Sequence, residues 1–129
     1  MKIQESAENY LEAILMLGLR KGEVHSVDIA AELEVSKPSV SVAMKKLREN
    51  GYIQVSGEGH ILLTDLGREI AQRMYERHTF LCEWLVALGV DPQIAAQDAC
   101  RMEHVISEET FAAIRALDIS AASRKADVN

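Results

Sequence analysis

The chain has 129 residues, of which 48% are apolar and 26% charged, a composition too apolar for a disordered protein and large enough for one domain or two small modules. Its formal net charge of −6 excludes nucleic-acid binding through overall charge, so any contact with DNA has to come from a local basic surface. No apolar run has the length of a membrane span or the form of a signal peptide, so we expect a cytoplasmic protein that makes no membrane contact.

Three helices are predicted in the N-terminal part of the chain. The first spans about residues 5–19, where apolar residues recur at helical spacing. Ser26 is the predicted N-cap of a short second helix, because its hydroxyl can accept from the free amides of the first turn. Ser36 and Pro38 mark the start of a third helix that runs to about Asn50, since proline loses nothing where an amide has no intrahelical partner.

A β-hairpin is predicted directly after the third helix. Residues 52–55 and 61–64 have the pattern of its two strands, and 56–59 that of the turn between them. Three helices followed by a hairpin are typical of a winged helix-turn-helix, so residues 1–65 are predicted to form a DNA-binding domain.

The third helix is the predicted reading helix of this domain. All four charged residues in the segment 37–48 are basic, which places a positive strip on an acidic protein. The residues expected to approach base edges and phosphates are Ser36, Lys37, Pro38, Ser39, Ser41, Lys45, Lys46 and, in the wing, His60. The alternative is a solvated charged face on a purely structural module, which the hairpin that follows disfavours.

Three more helices are predicted in the C-terminal part of the chain. A long helix is expected from about 66 to 88, a fifth helix starts at Asp91 and Pro92, and Ser107 caps a sixth. The overall fold is therefore predicted to be mainly α.

A helical metal-binding and dimerisation domain is predicted at residues 66–118. Its helices cannot bury their apolar faces well as one layer, so a two-fold dimer is expected to supply the missing surface. Such a dimer would place two reading helices about one DNA turn apart, which predicts a palindromic operator of double-stranded DNA. Residues 119–129 are small and polar, and we expect them to fray.

Cys100, Glu103 and His104 stand at helical spacings i, i+3 and i+4, which places a thiol, a carboxylate and an imidazole on one helix face. Such a face can hold a transition metal. A nucleophile pair of Cys100 and His104 is the alternative, but no oxyanion site or substrate-binding loop accompanies it in the sequence, so no enzyme is expected. Cys82 and Cys100 lack a Cys-x-x-Cys spacing, and reduced thiols are expected.

The order Asp-Ala-Cys-Arg-Met-Glu-His at residues 98–104 resembles the diphtheria-toxin-repressor and manganese-transport-regulator family of metal-dependent repressors, in its two-domain form. The resemblance covers nearly the whole chain. Its other motifs are Glu8-Asn9-Tyr10-Leu11-Glu12, the helix start Val35–Val40, Leu63-Thr64 with Gly67, and Arg77-His78. It implies a homodimer in which Fe(II) or Mn(II) bridges the first helix to the dimerisation domain.

The resemblance also implies a set of metal ligands. The matching positions are Glu12, His78, Cys100, Glu103 and His104. Asn9 occupies a further ligand position, where the family has aspartate or methionine, and it offers only a neutral carbonyl oxygen. Cys100 stands where the manganese branch has glutamate, and because a thiolate is the softer ligand, Fe(II) is favoured with Mn(II) second.

Some of these residues have simpler interpretations. His78 and Cys82 lie in an apolar stripe, where a histidine or thiol is commonly a core residue, and Glu12 alone fits a solvated helix face. A secondary metal site of the iron branch uses a carboxylate four residues after the histidine of the long helix. Cys82 has that spacing here and Glu83 follows it, so a second site is a hypothesis.

The sequence thus predicts a metal-dependent transcriptional repressor that senses divalent iron or manganese and controls metal-homeostasis genes. Bound metal would fix the orientation of two reading heads before DNA arrives. The rival hypotheses are a metal-independent winged-helix regulator and a metal-binding or storage module without gene control. Metal dependence of operator binding separates all three.

Overall fold

A computed structural model of the chain describes residues 2–117, with side chains described from Ser6 onward. In chain order its elements are α1 Lys2–Lys21, α2 Ser26–Leu33, α3 Lys37–Glu49, β1 Ile53–Val55, β2 Ile61–Leu63, α4 Asp65–Ala87, α5 Pro92–Val105 and α6 Glu108–Leu117. The mainly α prediction is confirmed, whereas the expected fraying of 119–129 falls outside the described residues. The chain divides into two compact units, with the boundary inside α4 between Tyr75 and Glu76.

The first unit has the predicted order of three helices and a hairpin. β1 pairs antiparallel with β2, in a register that places Ile53 opposite Leu63 and Val55 opposite Ile61. Both strands are one residue shorter than the sequence pattern indicated. The backbone N–H of Ile61 also donates to the carbonyl of Val24 at 2.8 Å, which ties the wing to the segment between α1 and α2.

The helix starts are set by local hydrogen bonds. Ser36 caps α3 as predicted, its hydroxyl accepting from the backbone N–H of Ser39 at 3.2 Å. The prediction for α2 is wrong, because Ser26 is its first helical residue and His25 is the N-cap. The reason is Asp28, whose carboxylate accepts from the backbone N–H of His25 at 2.8 Å and so fixes the entry to the helix.

Lys21 supports the same helix start from the end of α1. Its Nζ lies 2.6 Å from Oδ1 of Asp28. This side-chain hydrogen bond, together with the one from the backbone of His25, lowers the pKa of Asp28 below its ordinary value of 3.8. The carboxylate therefore stays ionised wherever the protein is folded near neutral pH.

The core of the first unit joins all of its elements. Its fully buried large side chains include Leu11 of α1, Ile29 of α2, Val40 of α3 and Ile53 of β1. α3 buries its apolar side in this core and turns its polar residues to solvent. The packing therefore leaves the reading face of α3 available.

The second unit has a smaller apolar core. Leu81 of α4, Ala99 of α5 and Phe111 of α6 form its buried centre. The rings of Phe80 and Phe111 meet edge to face with centroids 5.6 Å apart. Among residues 2–117, no helix has the length and apolar character needed to cross a membrane.

Candidate metal centre and DNA-binding surface

The second unit places one carboxylate between two imidazoles. Glu103 of α5 is fully buried, with its Oε2 at 3.1 Å from Nδ1 of His78, which α4 supplies from 25 residues earlier in the chain. Its other oxygen, Oε1, lies 3.3 Å from Nε2 of His104, also on α5. Three of the five predicted ligands therefore come together within one unit.

These residues fit a divalent transition metal. Ligand atoms bound at about 2.0–2.2 Å from an ion lie roughly 3 Å or slightly more from one another. The two nitrogen–oxygen separations in the group, 3.1 and 3.3 Å, are of that size. Imidazole is moreover a common donor to iron and zinc, and carboxylate is the donor that manganese prefers, so the group as a whole suits a divalent transition metal.

Arg77 positions this group, a role that the sequence pattern did not assign to it. Its buried guanidinium donates from Nη1 to the carbonyl of Glu103 at 2.7 Å and to that of Ile106 at 3.4 Å. It also lies over the ring of Phe111, with Cζ 4.9 Å from the centroid. The available signal was its place between Met74 and Leu81 on the apolar face of the predicted helix, because a buried arginine has to be hydrogen-bonded.

The thiols and the second-site candidate have different surroundings. Cys100 is exposed on α5, one turn before Glu103. Cys82 is half-buried and packs against the apolar core of the second unit, as expected of a small core residue. Glu83 is exposed beside it.

The fifth predicted ligand, Glu12, and the further ligand position, Asn9, belong to α1 in the first unit. The side chain of Glu12 is buried, only 4% of it being exposed, so its interpretation as a solvated helix face is wrong. Asn9, three residues earlier, is half-buried.

The predicted DNA-contacting residues lie on the surface of the first unit. Those of α3 and its cap are all exposed: Ser36, Lys37, Pro38, Ser39, Ser41, Lys45 and Lys46. The first turn of α3 carries no acidic residue, so the exposed side chain of Lys37 meets no competing carboxylate there and suits a phosphate. His60 lies at the end of the hairpin turn and is half-buried.

A winged module with a basic exposed helix, followed by a unit with a buried carboxylate between imidazoles, defines a metal-responsive DNA-binding regulator. The chain belongs to the iron-dependent repressor family: the N-terminal DNA-binding domain of that family matches residues 2–61, and its metal-binding and dimerisation domain matches residues 64–117. The predicted family, winged-helix fold and regulatory class are confirmed. Members of this class are regulators of transcription rather than enzymes, as expected.

Individual relatives agree with this assignment. The transcriptional regulator MntR of Salmonella typhimurium is 41% identical over 113 residues, which cover 88% of this chain and 72% of that protein. A manganese-dependent transcriptional repressor solved in complex with manganese matches with a TM-score of 0.76 and 31% identity, over 85% of this chain and 51% of its own. IdeR of T. acidophilum matches with a TM-score of 0.73 and 27% identity, over 85% and 53%. The chain thus spans about half the length of these two solved structures.

Proposed function

We propose that this chain is a homodimeric repressor that binds a palindromic operator when divalent metal is plentiful and so controls metal-homeostasis genes. The observation that carries the proposal is the buried carboxylate of Glu103 between His78 and His104, in a chain whose α3 presents an exposed basic face. Residues 1–65 act as the DNA-binding domain and 66–118 as the metal-binding and dimerisation domain. A regulator of this kind works beside the chromosome, in the cytoplasm.

DNA is read by α3. Lys37, Ser39 and Ser41 approach base edges and phosphates near the start of the helix, and they are exposed there as this role requires. Lys45 and Lys46 hold the phosphate backbone from the same helix. His60 contributes from the wing.

The metal is bound by His78, Glu103 and His104, with Cys100 as the thiolate ligand. A bound divalent ion would offset the buried charge of Glu103 and hold its ligands in one arrangement. The assignment of Glu12 and Asn9 as further ligands remains the prediction made from the family resemblance. Because binding equilibria are linked, a metal that raises the affinity for the operator is itself held more tightly when the operator is bound.

Two metals have support. Cys100 favours Fe(II), because a thiolate prefers the softer ion and Mn(II) is lowest in the affinity order. Relatives named for manganese support Mn(II), and one of them is the repressor solved in complex with manganese. Fe(II) is the metal proposed here, with Mn(II) as the second candidate.

A second copy of the chain is the proposed partner of the second unit. Large apolar side chains are exposed on this unit: Val86, Leu88, Ile94, Val105 and Leu117. Exposed apolar side chains that form one patch are typical of an interface between subunits. The metal-binding and dimerisation domain that matches residues 64–117 supports the same conclusion.

The test is an anaerobic titration with Fe(II), Mn(II) and Zn(II). DNA sites are first selected from a random pool, once by the metal-loaded chain and once in the presence of a chelator. Fluorescence anisotropy then follows binding to the selected DNA, while dialysis and elemental analysis count the bound ions. We expect tight operator binding only with metal.

Variants of α5 connect the site to this response. His104→Ala and Glu103→Ala should abolish metal-activated binding and leave a folded dimer, because each removes a ligand. Gln97→Ala, at an exposed position of the same helix, is the matched control and should respond like the unaltered chain. Equal operator binding with and without chelator would instead establish a metal-independent regulator, and metal binding without any selected DNA would establish a storage module.

A further inference from the structure

A second group of metal-ligating side chains lies in the first unit and shares no residue with the metal group of α4 and α5. Glu23 and His25 belong to the segment between α1 and α2, and His60 lies at the end of the hairpin turn. One ligand atom from each of these three residues lies within 4.8 Å of the other two. Nothing in the family motifs involves this group.

One separation within the group is that of two adjacent ligands on an ion, and the third residue lies near both. Nε2 of His60 lies 3.2 Å from Oε2 of Glu23, a separation typical of adjacent ligands. The rings of His25 and His60 have centroids 4.7 Å apart and are nearly perpendicular, at 83°. The three side chains are 71%, 38% and 25% exposed for Glu23, His25 and His60, so an ion can enter from solvent and keep water on its open positions.

The backbone around the group is already held in place. The hydrogen bond from Ile61 N–H to the carbonyl of Val24, 2.8 Å long, joins the residue after His60 to the residue before His25. Asp28 fixes the backbone of His25, and Ser56 accepts from the backbone N–H of His60 at 3.0 Å. Little conformational entropy is therefore lost when the side chains converge on an ion.

We propose that Glu23, His25 and His60 form a second divalent metal site, which clamps the wing to the segment between α1 and α2. Two imidazoles and one carboxylate favour Zn(II), Co(II) or Ni(II) over Mn(II) or Mg(II), which prefer oxygen. The ion also more than offsets the negative charge of Glu23, on the module that faces DNA phosphates. The site differs from the α4–α5 site in its ligands, its unit and its effect.

Zinc binding to the full chain tests this proposal, and the four histidines allow matched variants. In the H78Q/H104Q chain the α4–α5 imidazoles are removed, and zinc should still shift the side-chain NMR signals of His25 and His60. The H25Q/H60Q chain should bind one zinc ion per chain fewer than the unaltered protein. Hydrogen exchange of the Ile61 amide should slow on zinc addition in the unaltered chain and not in H25Q/H60Q.

Single substitutions distinguish the proposed ligand Glu23 from Glu58, a second carboxylate near His60, by their effects on zinc binding. Glu23→Gln removes an exposed ligand without affecting the core and should weaken zinc binding at this site by about tenfold or more. Glu58→Gln is the control, because Oε2 of Glu58 lies 3.9 Å from Nε2 of His60 and the residue is 84% exposed, so zinc affinity should stay within about twofold. The proposal is overturned if H25Q/H60Q binds as many zinc ions as the unaltered chain, if zinc leaves the Ile61 amide unaffected, or if Glu58→Gln weakens zinc as much as Glu23→Gln.

Discussion

Gly67 is the position at which the smallest change should have the clearest structural effect. It lies in the first turn of α4, directly after the wing, and a Cβ added there would stand 2.0 Å from the carbonyl oxygen of Tyr52. That carbonyl accepts from the backbone N–H of Thr64 at 3.0 Å, and the Thr64 hydroxyl in turn accepts from Gly67 N–H at 3.2 Å. The obstacle is thus hydrogen-bonded backbone, which cannot turn aside as a flexible side chain would.

The magnitude follows from this contact. Ordinary carbon–oxygen contacts are about 3.2 Å or longer, so Gly67→Ala has to move α4 or the chain at Tyr52 by more than about 1 Å. Overpacking of this kind costs about 1–3 kcal/mol, and loss of the Tyr52–Thr64 hydrogen bond about 1 kcal/mol more. The higher helix propensity of alanine offsets up to about 1 kcal/mol of this loss, so the free energy of unfolding should fall by about 2 kcal/mol.

Gly18→Ala is the matched control, because Gly18 also lies within a helix and its added Cβ would meet nothing nearer than Cγ2 of Val24, at 3.9 Å. This variant should gain up to about 1 kcal/mol. Urea unfolding of the metal-free chains, followed by far-ultraviolet circular dichroism, gives both free energies of unfolding. Since the wing moves in Gly67→Ala, its operator affinity should fall as well. If the two substitutions change stability with the same sign, the close approach at Tyr52 does not control this part of the fold.

Four further substitutions address the DNA-binding surface, the metal preference and the stability of the second unit. Lys45→Ala should weaken binding to every DNA sequence and reduce the slope of log affinity against log salt by about one. Ser39→Ala should weaken binding to some operators more than to others. If both variants lose the same affinity on every operator, the division between backbone and base contacts is wrong. Cys100→Glu should shift activation toward Mn(II) in metal titrations of operator binding. The thiolate does not set the metal preference if Mn(II) activates the unaltered chain at a lower free concentration than Fe(II) and the variant keeps this order of the two metals. Arg77→Met should lower the free energy of unfolding by about 1.5–3 kcal/mol through loss of charged hydrogen bonds; a change under about 0.5 kcal/mol in urea unfolding would show that they are dispensable.

Local patterns predicted most of the elements of this chain. The start of α3 follows from Ser36 and Pro38, whose effects extend over one turn of helix, and it is found where the sequence predicts it. Helical spacing likewise predicted the exposed face of α3 and the helix on which Cys100, Glu103 and His104 stand at i, i+3 and i+4. Such features depend on residues three or four positions apart, so the local sequence is sufficient to predict them.

The choice of His78 as a partner of this face came from a family resemblance, because a histidine in an apolar stripe is equally typical of a core. Only the packing of α4 against α5 brings its Nδ1 to 3.1 Å from Glu103. The same packing brings the guanidinium of Arg77 to the carbonyl of Glu103 near the end of α5, where it donates a hydrogen bond. Contacts between residues 25 or more positions apart have no periodicity, so a single sequence contains no signal for them.

The tertiary structure alone decided the features at the wing. Glu23 and His60 are 37 positions apart and become neighbours only because β2 pairs with the segment before α2. A glycine is needed at position 67 because the carbonyl of Tyr52, 15 residues earlier, leaves no space for a Cβ. Sequence determines such contacts only through the complete fold, because the chain between the two residues has to close into a loop before they can meet.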